Sequence, residues 1–100
     1  MFYTYMLRCA DNSIYTGITN DLDKRMKEHF SKDTNGAKYT KSHTASKFEI
    51  AWQTEDRKDA CKLEYWIKQL TKEQKETMIR TKSLDNSLEK HLKTSLFSLC

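Results

Sequence analysis

Three polar side chains, Arg25, His29 and Glu64, stand where the apolar pattern of this sequence would otherwise place core residues. A guanidinium clamps phosphate or carboxylate, an imidazole transfers protons near neutral pH, and a carboxylate holds hard metal ions. Taken singly, each side chain is better explained by a place at the edge of the core with its polar end in water, or by a pairing of Arg25 with Glu64. The order and spacing of these residues therefore decide between chemistry and packing.

Two tyrosines precede them in predicted strands. Tyr5 lies in residues 2–9 and Tyr15 in residues 14–19, two aromatic-rich segments joined by turn-forming residues, which predicts a hairpin. Tyrosines in strands commonly serve packing, and the following Gly17 commonly marks a bulge or a close approach. Residues directly opposite each other in a hairpin share a face. If Tyr5 and Tyr15 are to lie on the same face, the residue numbers of each opposed pair must therefore add up to an even number. We therefore predict an odd-length turn, or a bulge near Gly17.

A helix is predicted over residues 21–31, with Asn20 as its N-cap. Its apolar residues repeat every four positions and form the buried side: Leu22, Met26 and Phe30. At about 100° per residue, Arg25 and His29 lie next to this stripe rather than on the solvent face. The other charged residues of the helix occupy the opposite side: Asp23, Lys24, Lys27 and Glu28.

Later elements should position Glu64. A third strand is predicted at residues 48–52, and a second helix begins after Thr54 or Asp56 and runs to about residue 70. Its core stripe consists of Ala60, Leu63, Ile67 and Leu70. Glu64 lies at the edge of that stripe. Residues 71–74 form a capping box, which predicts that a separate helix starts there.

The order strand, strand, helix, strand, helix, helix predicts an α+β domain over residues 1–82, with a three-stranded, mainly antiparallel sheet flanked by helices. The tail, residues 83–100, carries leucines at four-residue spacing, which predicts a short extra helix: Leu84, Leu88, Leu92 and Leu96.

The charge of the chain suits a polyanionic partner. One hundred residues with a formal net charge of +4 are consistent with nucleic-acid binding, and equally with an ordinary basic surface. Cationic groups and an aromatic ring lie in and beside a polar segment at residues 31–46, which is predicted to be a loop: Lys38, Tyr39, Lys41 and Lys47. Three widely spaced cysteines and three histidines without zinc-site spacing argue against a disulfide framework and a structural zinc. No apolar run approaches the length of a membrane helix, so we expect a cytoplasmic protein.

Five features in one order carry a family resemblance. Residues 3–5 (Tyr-Thr-Tyr) and 15–17 (Tyr-Thr-Gly) resemble the paired motifs that name the GIY-YIG nucleases. Arg25 follows ten residues after the second tyrosine, and His29 comes one turn later, as in that family. Glu64 on the second long helix matches the family's metal-binding glutamate. The similarity covers about residues 2–80 and is closest to the small single-domain bacterial branch.

The resemblance implies a metal-dependent endonuclease that hydrolyses phosphodiester bonds, of DNA more than RNA, in DNA repair or recombination. Glu64 would hold one Mg²⁺ or Mn²⁺ ion, weakly until substrate phosphate completes its shell. Tyr15 would be the general base or its relay, because the nearby cation Arg25 would favour the ionised phenol and clamp the phosphate. Tyr5 and His29 would orient water or phosphate.

The remaining site residues would hold the substrate. Gly17 would let the backbone approach the ligand, and the cationic set would grip nucleic acid: Lys38, Tyr39, Lys41 and Lys47. Two alternatives stay open. The domain could bind nucleic acid without cutting it, or it could be a protein-interaction domain that uses its leucine-spaced tail. A protein partner that supplies specificity stays open too, and we expect a monomer or weak dimer.

Overall fold

The computed structural model describes residues 1–31 and 44–100. In chain order, its principal elements are β1 (Phe2–Cys9), β2 (Ile14–Thr19), α1 (Leu22–Phe30), β3 (Ala45–Thr54), α2 (Arg57–Lys68), α3 (Lys72–Thr81) and β4 (Ser98–Leu99). They form one antiparallel sheet in the order β2-β1-β3-β4, flanked by the helices. The predicted α+β class is confirmed. The prediction of three strands is wrong, because a two-residue strand such as β4 is too short to show alternation in the sequence.

The β1–β2 hairpin has the predicted register. Tyr5 pairs with Gly17 and Leu7 pairs with Tyr15, so paired positions sum to an even number. The connection is an odd-length loop, residues 10–12, in which the Cys9 carbonyl accepts from the Asn12 amide at 2.9 Å. Asn12 takes the left-handed conformation (φ 69°) that closes a three-residue hairpin loop. An odd-length turn was one of the two predicted solutions, and the β1–β2 pairing needs no bulge at Gly17.

The irregularities of the sheet lie between β1 and β3 instead. Register shifts after Met6 and after Arg8 leave unpaired residues in β3, among them Glu49. Arg8 Nε donates to Glu49 Oε2 at 3.0 Å, and both terminal nitrogens of Arg8 donate to the carboxylate of Glu76 on α3 at 2.5 Å. Lys72 of α3 also donates to the Asn12 carbonyl at 2.5 Å. These bonds join α3 to the sheet and to the hairpin loop.

We expect Arg8→Met to lower the free energy of unfolding by about 2 kcal/mol at pH 7, because it leaves two partly buried carboxylates without their guanidinium. Arg8 holds the pKa of Glu76 below its ordinary value, mainly through the hydrogen bond. Its contribution is therefore complete above the unfolded pKa of 4.5 and is lost as the pH falls through the lower folded pKa. Urea unfolding at pH 7 and at about pH 3 measures the shrinking difference. Equal losses in Arg8→Met and in Arg80→Met, an exposed arginine on α3, would contradict the role of the network.

The sheet has two covered faces. One face packs under α2 and α3, where the main core contains Met6, Ile50, Trp52, Leu63, Ile67, Met78 and Leu88. The hydroxyl of Thr4 donates to the carbonyl of Ala60 on α2 at 3.1 Å, which ties the helix to β1. The other face carries Tyr5, Leu7 and Ala51 under α1, with Leu22 and Met26 packed against them. The hairpin tyrosines therefore lie on the α1 face of the sheet.

Helix boundaries follow side-chain caps. The carboxylate of Asp21, rather than Asn20, caps α1 by accepting from the Lys24 amide at 3.1 Å. The prediction of Asn20 as the cap was wrong. The Thr19 hydroxyl accepts a hydrogen bond from the Asp21 amide, and the helix begins after Asp21 rather than after Asn20. Asp56 caps α2, and the predicted capping box at the start of α3 is present. Phe30, predicted to be buried, is 39% exposed in the part of the chain that the structure describes.

The tail folds onto the main core without forming an α-helix. It consists of two short 3-10 helices, Asn86–Lys90 and Thr94–Leu96, followed by β4. Leu88 is fully buried, and the ring of His91 stacks on Trp66 at 3.6 Å between centroids. The tail therefore contains short helical turns of the 3-10 type in place of one α-helix, and three of its four spaced leucines contact the main core: Leu84, Leu88 and Leu92. Across the described residues, none of the helices has the length and apolar character needed to cross a membrane.

Candidate active site

Three rings meet on the sheet face covered by α1: Tyr5 of β1, Tyr15 of β2 and His29 of α1. Their centroids lie 6.1 Å apart for the two tyrosines, 5.6 Å for Tyr5 and His29, and 5.4 Å for Tyr15 and His29. The Tyr5 hydroxyl is hydrogen-bonded to His29 Nε2 at 2.9 Å. The even register of the hairpin brings the tyrosines to one face, and α1 adds the imidazole.

Gly17 makes room for one of these rings. A Cβ atom at Gly17 would lie 2.6 Å from the Tyr5 hydroxyl oxygen, 2.7 Å from Tyr5 Cζ and 3.0 Å from Tyr15 Cε2. The Tyr5 phenol therefore crosses over the backbone of its paired residue. The sequence-based prediction was that the missing side chain at Gly17 lets a ligand approach the backbone. In the structure, the Tyr5 ring occupies this space. Gly17 contributes to the site by allowing this placement of the phenol.

The surroundings of Tyr5 keep its phenol protonated. Burial is the main cause that raises the pKa of Tyr5, and the neighbouring Tyr15 raises it further, in part through a side-chain hydrogen bond. The charge of Glu64 also raises this pKa, while the charge of Arg25 lowers it. Tyr5 is thus a hydrogen-bond donor at neutral pH. Both Arg25 and Glu64 lie close enough to act on its electrostatic potential.

The imidazole of His29 is likewise held neutral. Burial lowers its pKa from the ordinary 6.5, the cation of Arg25 lowers it further, and Glu28 opposes this effect. The side chain of Arg25 is 44% exposed and lies 4.0 Å from the Glu28 carboxylate. Its guanidinium is therefore partly exposed and loosely paired, so it can turn from Glu28 to a bound anion.

Glu64 provides the carboxylate near the rings. Its side chain is 25% exposed, and its Oε2 lies 3.6 Å from Lys68 Nζ, a loose contact between solvent-accessible groups. Carboxylate, phenol and water oxygens are hard donors that suit Mg²⁺ or Mn²⁺. Within residues 1–31 and 44–100, no three His, Cys, Asp or Glu side chains form a ready metal cage. The donors fit an ion held by Glu64 whose other positions are left to water and substrate oxygens.

The other predicted substrate contacts are not part of this cluster. Lys47 pairs with Arg8 in the β1–β3 ladder, so it lies on the sheet face opposite the tyrosines. Its ammonium lies 3.6 Å from Glu49 Oε1, and its side chain is 70% exposed. The other three predicted contacts lie outside the described residues and stay predictions: Lys38, Tyr39 and Lys41. Sequence reasoning also overlooked Lys68, although its position four residues after Glu64 is the spacing of a helical ion pair.

The sequence that builds this site matches a known protein family. The model of the GIY-YIG catalytic domain matches residues 1–78. The chain belongs to the GIY-YIG nuclease family. The matched range includes the two strands that carry Tyr5 and Tyr15.

Individual relatives agree. The chain is 50% identical over 78 residues to UPF0213 protein FN1575 of Fusobacterium nucleatum, covering 78% of this chain and 76% of that protein. It is 41% identical over 93 residues to UPF0213 protein CPE1444 of Clostridium perfringens, covering 92% and 98%. The solution NMR structure of UPF0213 protein BH0048 from Bacillus halodurans is similar, with a TM-score of 0.53 at 35% identity, covering 94% and 99%. These are small GIY-YIG relatives of similar length, as the resemblance indicated.

Membership in the GIY-YIG family gives the site its general chemistry. The domain implies nucleic-acid binding, and GIY-YIG nucleases generally use a divalent metal ion. The family match ends at residue 78, inside α3, whereas the buried Leu88 lies beyond it. The ring cluster, Arg25 and Glu64 all lie within the matched part.

Proposed function

We propose that this protein is a metal-dependent endonuclease that hydrolyses phosphodiester bonds of nucleic acid, with DNA as the favoured substrate and repair or recombination as its setting. One observation carries the proposal: the phenol of Tyr5 is packed against Tyr15 and His29 and lies within the electrostatic reach of both Arg25 and Glu64. Simple binding of a polyanion has no use for a carboxylate at this place, whereas hydrolysis has.

Tyr15 is the proton acceptor in this proposal. Its ring lies 6.1 Å from that of Tyr5 and 5.4 Å from that of His29, so the three side chains form one cluster. Tyr5, whose pKa is raised mainly by burial, stays protonated and can serve as a hydrogen-bond donor. In the His29 tautomer that carries its proton on Nε2, the imidazole donates to the Tyr5 oxygen and leaves the Tyr5 proton for another acceptor. Tyr15 Oη then takes a proton from the attacking water, while Tyr5 and His29 position it.

Arg25 and a metal ion held by Glu64 would neutralise the negative charge of the reacting phosphate. The exposed guanidinium of Arg25 can bind two phosphate oxygens at once, in a fork-shaped geometry that lysine lacks. A divalent ion bound by Glu64 would supply the remaining neutralisation of charge at the reacting phosphate. Glu64 is solvent-accessible and bound loosely by Lys68, so it can exchange that partner. Weak metal affinity without substrate is expected for a single carboxylate.

The packing of the tail weighs against the protein-interaction alternative. Leu84, Leu88 and Leu92 contact the main core of this same chain, so they do not form an unpartnered helix face. A non-catalytic nucleic-acid-binding module remains the second candidate. Both candidates share the fold and the basic charge, and they differ in whether bonds are cut.

Cleavage of a labelled panel tests the proposal. We expect plasmid, duplex and branched DNA to be cut in Mg²⁺ or Mn²⁺ and to stay intact with a chelator, with single strands and RNA in the same panel defining the substrate class. Gel assays give the cutting rate, and fluorescence anisotropy in the chelator gives the binding affinity. Binding without cutting under any metal condition would favour the non-catalytic module. Absence of both would contradict nucleic acid as the partner.

A further inference from the structure

Three lysines converge at the corner between α2 and α3. Lys68 is the last residue of α2, Lys72 is the first of α3, and Lys75 follows one turn later. The capping box of Thr71 and Gln74 fixes this corner, since each residue's side chain bonds the other's backbone amide at 3.1 and 2.9 Å. This corner fixes the backbone positions from which the three lysine side chains extend.

The contacts of these lysines place that surface beside the candidate active site. At one end, Lys68 Nζ lies 3.6 Å from Glu64 Oε2. At the other end, Lys72 Nζ lies 3.8 Å from Glu76 Oε2 and donates to the Asn12 carbonyl of the hairpin loop. Lys68 and Lys72 therefore lie between the candidate metal ligand and the tip of the β1–β2 hairpin, and Lys75 is close enough to both for their charges to lower its pKa.

Ion pairs within a helix account for Lys68 and Lys72 but not for Lys75. The Lys68–Glu64 and Lys72–Glu76 contacts have i,i+4 spacing, and such exposed pairs contribute about 0–1 kcal/mol. Within the described ranges, Lys75 forms no ion pair, although its side chain is half-buried. Burial lowers its pKa, and the cations Lys68 and Lys72 lower it further. Like charges gathered in this way are relieved by an anion that spans them.

We propose that Lys68, Lys72 and Lys75 form a lysine track that binds successive backbone phosphates of the nucleic-acid strand on one side of the bond cut beside Glu64. The proposal rests on the proposed nuclease function and adds to it the path of the substrate. Lysine ammoniums bind phosphate as point charges and carry no base preference, so the track holds any sequence. Lys68 and Lys72 are each 50% exposed, so both ammoniums can turn toward phosphate.

The test compares two double variants that remove the same charge. Lys68→Gln with Lys75→Gln interrupts the track, whereas Lys90→Gln with Lys93→Gln changes two exposed lysines of the tail. The tail packs on the Trp66 side of α2 through the Trp66–His91 stack. Trp66 and Lys68 are two residues apart, which is about 200° around the helix, so the control lies on the opposite flank.

Affinity for a labelled DNA duplex and for its single strand is measured by fluorescence anisotropy in a chelator at several salt concentrations. We expect the track variant to bind about tenfold or more weakly at low salt. The salt slope, meaning the slope of the logarithm of the binding constant against the logarithm of the salt concentration, should become shallower by about 1 for each lysine removed. The tail variant should stay within about threefold with an unchanged slope. Lys68→Arg with Lys75→Arg should restore the slope, which separates lost charge from misfolding.

Two results would overturn the lysine track. One is an equal loss of affinity in the track and tail variants, which reports net charge alone. The other is an unchanged salt slope in the track variant while the wild-type protein still cuts in Mg²⁺ or Mn²⁺; the nuclease proposal then stands and the path is wrong. If the wild-type protein neither binds nor cuts the panel, the proposed function and the track fail together.

Discussion

Replacing Glu64 with glutamine is expected to lower the rate of metal-dependent cleavage by about 10³-fold or more. A neutral amide keeps the shape of the side chain but binds a hard divalent ion far more weakly than a carboxylate does. The expected cost in stability is small, because the contact that the structure gives Glu64 with Lys68 is a partly exposed ion pair. The loss should therefore appear in the rate rather than in folding.

The same variant should still bind nucleic acid. Removing a negative charge beside the phosphate path leaves affinity in a chelator unchanged or slightly tighter, which a disrupted fold would not do. Glu73→Gln, an exposed carboxylate in the first turn of α3, is the matched control and should cut at the wild-type rate. The measurement is initial cutting rate against metal concentration. Full activity of Glu64→Gln at saturating Mg²⁺ would remove Glu64 from the reaction.

Replacing Tyr15 with phenylalanine is expected to lower the cutting rate by about 10²- to 10⁴-fold, the usual contribution of a positioned general base. Tyr5→Phe should cost less, about 10- to 100-fold, because it removes one positioning hydrogen-bond donor and leaves the proposed proton acceptor in place. Both variants keep a ring in place, so the contacts among the three rings are retained. The tyrosines would then differ in role although they share a face.

The cutting rates of the two single variants separate these roles. Tyr5→Phe keeps the proposed proton acceptor and should therefore cut faster than Tyr15→Phe across the pH range. Tyr65→Phe, a tyrosine 56% exposed on α2, should match the wild type throughout. A Tyr15→Phe protein that retains the wild-type rate and profile would show that another group accepts the proton.

Much of the architecture could be predicted from local sequence. The aromatic-rich strands, the turn-forming residues 10–13 and the capping box at Thr71 depend on neighbours within a few positions, so their signals survive in a single sequence. The even register of Tyr5 and Tyr15 followed from a parity argument and is confirmed. The family resemblance rested on five ordered residues, and family membership is confirmed by the match over residues 1–78.

Errors arose where one local signal competed with another. Asn20 and Asp21 are both good N-caps, and only the bond between the Thr19 hydroxyl and the Asp21 amide chooses between them. The leucine spacing of the tail suits a helix, yet the segment bends through two 3-10 helices so that Leu88 reaches the core. In both places the sequence pattern is compatible with more than one local structure, and hydrogen bonds or core contacts determine which of them forms.

By itself, the sequence determined the order of the main elements, the shared face of the tyrosines and the identity of the chemical groups, because periodicity, turn chemistry and motif order are local properties. Only the tertiary structure decided that the Tyr5 phenol covers Gly17 and bonds to His29. It also decided the partners of Arg8 and the addition of β4 to the sheet. Each of these depends on residues distant in the chain that meet only when the sheet and helices pack, so no local pattern records them.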